Sequence, residues 1–141
     1  MIYLENTREK AVLVTVDTGV EDCDALLDEL EELADTAGAD TVGRVIQKLE
    51  CPDSATFVGT GKLEEIKEFA ENAGADLLIF DSELSPSQQR NIEKSTDIRT
   101  IDRTLLILDI FGQRANSGEG RIQVELARYQ YMLPRLSGQG K

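Results

Sequence analysis

Gly59-Thr60-Gly61-Lys62 is the stretch of this sequence closest to phosphate chemistry. Glycines at the mouth of a helix leave amides free to face an anion, and a lysine adds charge. The spacing needed for a complete phosphate loop is absent. That loop requires glycine at 56 and serine or threonine at 63, where this chain has Thr56 and Leu63. A dinucleotide turn fails too, because its third glycine falls on Glu64. What remains is a turn, Gly59 to Lys62, that either holds an anion or is simply tight. The chain has no histidine, which removes every Ser-His and Cys-His nucleophile and the usual zinc sites. Cys23 and Cys51 stand alone, not at metal spacing, and read as free thiols. No catalytic, metal or cofactor-binding residue is assigned.

A second constellation lies near the C-terminus. Arg121, Arg128 and Arg135 recur every seven residues, with Arg114 seven before them. On a helix such a row is either a solvated face or a set of phosphate forks, so Arg114, Arg121, Arg128 and Arg135 are candidate RNA contacts. Ile122, Leu126, Tyr129 and Leu133 step by four, three and four, the spacing of a coiled-coil seam. This stripe packs either on the chain's own sheet or on a partner helix. Its narrowness favours the partner, and a second copy of the fragment is one candidate. Pro134 is expected to kink or end the helix.

The elements that must position these residues alternate. Apolar runs at Ala11–Val16, Thr41–Leu49, Asp76–Phe80 and Ile98–Ile101 read as strands. Helices are expected over Asp22–Ala37, stopped by Gly38; over Leu63–Ala73, stopped by Gly74; and from Ser85-Pro86 to about Ser95. Thr104 is expected to cap a helix over Leu105–Arg114, and Glu119 to about Leu133 forms the last one. The fold expected is α/β, a parallel four-stranded sheet flanked by helices and followed by a projecting C-terminal helix. Residues 1–115 form the α/β part and 116–141 begin a long-helix part, after a break at Asn116-Ser117-Gly118.

Charge is uneven. The net charge is −12, yet residues 99–141 carry seven bases against four acids. An acidic body repels nucleic acid, whereas a basic terminal stretch neutralises phosphates. A surplus of acid is also a known adaptation to high salt. No run is apolar enough for a membrane span, and the N-terminus lacks the pattern of a signal peptide. A cytoplasmic location is expected.

Two resemblances bear on function. The segment Leu77 to Pro86 is similar to the phosphoacceptor strand of a response-regulator receiver, but the paired acids after the first strand and the lysine after a fifth strand are missing. The second is more extensive. Ile101-Asp102-Arg103-Thr104-Leu105-Leu106-Ile107-Leu108-Asp109-Ile110-Phe111, then Gln113-Arg114-Ala115, Glu119 to Ala127 and Tyr131 to Gly138 resemble the HflX family almost position for position. Ala37–Gly43, Ala55–Lys62 and Phe80–Asn91 agree with it as well. The resemblance implies the N-terminal domain of a GTPase that binds the large ribosomal subunit through ribosomal RNA and splits or rescues ribosomes under stress. It implies that GTP and magnesium belong to a later domain, and that a second long helix pairs with the seam. It leaves the fragment without cofactor and without GTPase activity of its own. The alternative is an independent small α/β domain that binds a nucleotide or anion at its strand ends.

Overall fold

The computed structural model describes residues 8–136. Four strands, β1 (Glu9–Asp17), β2 (Ala39–Lys48), β3 (Leu77–Phe80) and β4 (Arg99–Asp102), form one sheet in the order β2-β1-β3-β4. Every pairing is parallel, as the alternation of strands and helices requires. Five helices complete the fold: α1 (Cys23–Ala37), α2 (Thr60–Ala73), α3 (Pro86–Thr96), α4 (Arg103–Arg114) and α5 (Gly118–Leu136).

The central strands are apolar on both faces because both faces are covered. Ala11 and Leu13 of β1 join Leu27, Leu30, Leu105 and Leu106 in a core under α1 and α4. Val12 and Val14 point the other way, into a core with Leu63, Ile66 and Ile92 of α2 and α3. β2 lies at an edge, which explains its mixed pattern of Val, Arg and Gln.

Local signals set the helix ends. The Asp22 side chain accepts from Ala25 N–H, and Gly38 ends α1 with φ of 108°. Ser85 and Gln88 form a reciprocal capping box with Pro86 in the first turn. Two expectations need correction. Thr104 does not cap α4; Asp102, two residues earlier, does, accepting from Leu105 N–H at 3.0 Å. Pro134 does not end α5, which runs to Leu136. The proline lies inside the described helix, and its carbonyl accepts from Arg90 at 3.1 Å.

Candidate functional site

α5 packs against α4 and reaches α3 with its far end. Its two faces differ sharply. On the inner face Tyr131 and Met132 touch the core beneath α1 and α4. Between them and around them lie charges. Arg128, only 7% exposed, donates from Nε to Asp109 Oδ1 at 3.1 Å, and Asp109 is fully buried. Arg128 also holds Glu125 at 2.8 Å. Burial raises the Asp109 carboxyl to about 6, against the opposing pull of Arg128.

One helical stage further on, Asp102 collects partners from three elements. It caps α4, accepts from Leu84 N–H at 2.8 Å, and accepts a hydrogen bond from the Tyr131 hydroxyl. Burial, with this bond next, pushes the Tyr131 phenol well above its ordinary range. Arg135, 5% exposed, approaches Asp102 to 3.9 Å, donates to the Leu84 carbonyl and stacks over the Tyr131 ring at 3.7 Å. Arg128 and Arg135 are therefore corrected as candidate RNA contacts: these two members of the row are turned inward, onto Asp109 of α4 and Asp102 at its N-cap. Arg114 and Arg121 remain exposed, Arg121 donating to the Ala115 carbonyl at 3.3 Å.

A signal for this arrangement existed in the sequence. Asp102 and Asp109 are seven apart, as are Arg128 and Arg135. Two antiparallel helices bring such pairs together in reverse order, Asp109 with Arg128 and Asp102 with Arg135.

The outer face of α5 is apolar. Ile122 is 70% exposed, and Leu126, Tyr129, Leu133 and Leu136 are exposed with it. The stripe does not pack on the chain's own sheet. Phe111 of α4 is also exposed. Isolated exposed apolar residues are ordinary, but five on one helix face form a patch of the kind that marks an interaction surface.

The Gly59–Lys62 turn is already engaged within the chain. Gly59 caps α2 with its backbone and donates its N–H to Gln47 Oε1 at 2.9 Å, while the Lys62 ammonium lies 3.4 Å from Glu65. Thr60 and Gly61 form the first turn of α2. At the end of β3, Asp81 is buried and lies 3.3 Å from Arg103, which also holds Glu29 at 2.5 Å. Burial raises the Asp81 carboxyl, and Arg103 works against that rise. Cys23 is buried and Cys51 exposed; both are free. Among the described residues, no group of three or more acids or cysteines could hold a metal ion, and no helix is long and apolar enough to cross a membrane.

The class of protein follows from comparison over the whole of this α/β body and α5. Residues 24–112 match the family described as GTP-binding GTPase N-terminal, and residues 114–141 match its companion, the GTP-binding GTPase middle region. The GTPase HflX of Caldanaerobacter subterraneus subsp. tengcongensis is 48% identical over 140 residues, covering 99% of this chain and 32% of that protein. The GTPase HflX of Escherichia coli K12 is 44% identical over 132 residues, 91% of this chain and 30% of its own length. Among solved structures, a GTP-binding protein from Sulfolobus solfataricus in complex with GDP matches with a TM-score of 0.64 at 28% identity, covering 94% of this chain and 39% of that one. The chain belongs to the HflX family, of which it is an N-terminal part. It spans about a third of the length of these relatives.

Proposed function

We propose that this chain is the ribosome-binding N-terminal domain of an HflX-type GTPase, acting in the cytoplasm on the large ribosomal subunit to split or rescue ribosomes under stress. The observation that carries this reading is the family match across both the α/β body and α5. The open stripe of α5 supports it, since a helix with five exposed apolar side chains on one face is suited to pairing with a second helix. Arg114 and Arg121, exposed near the start of that helix, suit phosphate contact.

GTP and magnesium belong, in this reading, to the part of the protein outside this chain. The residues of the Gly59–Lys62 turn do not fit a triphosphate cradle: the Gly59 amide is held by Gln47, Lys62 by Glu65, and no hydroxyl stands at position 63 for a metal. This chain alone is therefore expected to hydrolyse no GTP, checked by phosphate release with and without magnesium. The same engagement of the turn, with the Asp81–Arg103 pair, weighs against the receiver-like or anion-binding alternative.

The test of the proposal is sedimentation of the full-length protein with large ribosomal subunits. Replacing Arg114 and Arg121 by glutamate should weaken binding, and the deficit should shrink as salt rises. Unchanged binding across a salt series would remove these arginines from the interface. No binding by the unaltered protein would overturn the proposal itself.

A further inference from the structure

The edge of the sheet formed by β2 is separate from the α5 face and has an unused template of its own. Among the described residues, β2 pairs with β1 alone. Ten residues long, it exceeds β3 and β4, each of four. Leu49 N–H donates to Asp17 O at 3.1 Å, which fixes the phase of the ladder. In a parallel pair, alternate residues turn both main-chain groups toward the same neighbour. Gly43, Val45 and Gln47 therefore face β1. Arg44, Ile46 and Lys48 direct their N–H and C=O groups to the open edge.

Sheet edges are usually blunted by bulges and charges. Both devices are present here, the charges being Arg44 and Lys48, and they leave the middle of the edge open. The register shift falls at Val42, between the Ala11–Thr41 and Val12–Gly43 pairs, so Gly43–Lys48 continues in regular register. The Arg44 guanidinium does not project from the edge. It folds back onto α1, 2.6 Å from Asp28 and 2.8 Å from Glu31.

Chemically different grooves flank the edge. On the α1 side a cavity of about 580 Å³ is lined by Asp28, Glu31, Glu32, Asp35 and Asp40. Arg8 bridges Asp35 and Asp40, and Arg44 bridges Asp28 and Glu31, so four of the five carboxylates are ion-paired but two positive charges face five negative ones. On the α2 side a cavity of about 340 Å³ is lined by Val45, Ile66 and Phe69, with Lys62 and Glu65 beside them. The Phe69 ring takes the place of a side chain at Gly43, where a Cβ would stand 2.3 Å from Phe69 Cε2. It is still 41% exposed.

We propose that the β2 edge is a strand-addition site for an extended peptide whose residues alternate basic and apolar. Side chains of an added strand alternate between the two faces of the sheet. One set would meet the carboxylates beside α1 and the other the Phe69 groove, while the main chain bonds to Arg44, Ile46 and Lys48. A second copy of this chain is a poor occupant, because it would bring one acidic groove against another.

The test is fluorescence anisotropy of a labelled peptide of five Lys-Val repeats titrated with the full-length protein. The control has the same residues in two blocks, which retains the charge and loses the alternation. The alternating peptide should bind about tenfold or more tighter, because only it satisfies both grooves and the edge at once. Ile46→Pro removes an outward N–H, which an edge strand tolerates, and should abolish the difference without lowering the melting temperature. If that variant fails to fold, Glu32→Lys on the exposed face of α1 serves in its place and should weaken the alternating peptide. Hydrogen exchange over β2 should slow when the peptide binds. Equal binding of the two peptides overturns the proposal, as does full binding by the folded Ile46→Pro or Glu32→Lys variant.

Discussion

The two faces of α5 invert the usual order of a surface helix. The face against the body carries Arg128 and Arg135, nearly buried, while the face toward solvent carries Ile122, Leu126, Tyr129 and Leu133. A helix held mainly by area would turn its leucines inward. This one is held in place by paired charges and a tyrosine, with Met132 as the apolar contribution, and its leucines are left outside. Attachment and availability are thus assigned to different chemistry. Substitutions should separate them: changes to the inner face should alter stability, and changes to the outer face should alter association.

The largest effect is expected at Arg128. Replacing it with methionine leaves Asp109 buried without its main counter-charge, a loss of about 3 kcal/mol or more at pH 8 by denaturant unfolding. The loss should be smaller at pH 5, where Asp109 is protonated and needs no partner. Equal losses at both pH values would show that packing, not charge, ties α5 down. Adding Asp109→Leu to Arg128→Met should recover most of the stability, since an apolar pair of fitting volume replaces a buried ion pair with little cost.

A further prediction concerns pH in the unaltered chain. The folded Asp109 carboxyl is raised to about 6, above the unfolded value. The native state therefore binds the extra proton, and the stability linked to this group is fully present below about pH 4. It is lost as pH rises through about 6. Comparing unaltered protein with Asp109→Asn isolates this from the other carboxylates, so the difference in stability between the two should change between pH 4 and pH 7. A constant difference would remove Asp109 as a titrating group in that range.

Tyr131→Phe is milder. It removes the hydroxyl that donates to Asp102 and leaves the ring beneath Arg135, so about 1 kcal/mol should be lost in thermal unfolding. The smallest stability effect belongs to Leu126→Lys on the outer face, within about 0.5 kcal/mol of the unaltered chain. The same substitution should abolish any self-association of this chain seen by sedimentation velocity, because a charge then sits in the seam. A stability loss as large as that of Arg128→Met would mean that the two faces are not distinct.

Much of the fold could be read along the chain because its signals are local. Asp22, Gly38, Gly74 and Ser85-Pro86 each mark a helix end through their own backbone or side chain. The central strands β1 and β3 announced themselves by apolar runs with no polar face, and the edge strand β2 by alternation. Thr104 has the residue type of a cap, but Asp102, which lies outside the apolar run Ile98–Ile101, is both the last residue of β4 and the cap of the helix that follows at once. Strand order was not legible, because parallel neighbours are chosen by the crossovers, which leave no periodic trace. The arginine row was legible as spacing but not as direction. Seven-residue spacing says that residues share a face, and only the matching spacing of Asp102 and Asp109 says that the face turns inward. The outer stripe was legible as spacing, and its residues lie exposed in this chain.

Asp102 gives the molecule a mechanical junction. One carboxylate is tied to the first turn of α4, to the main chain at Leu84 after β3, and to Tyr131 on α5. Arg135 ties the same stretch of α5 to the carbonyl of Leu84. A sideways load on the exposed stripe of α5 would thus arrive as tension at the ends of two strands. Hydrogen bonds lengthen little before they break, so the helix end should stay in register up to a threshold and then release as a unit.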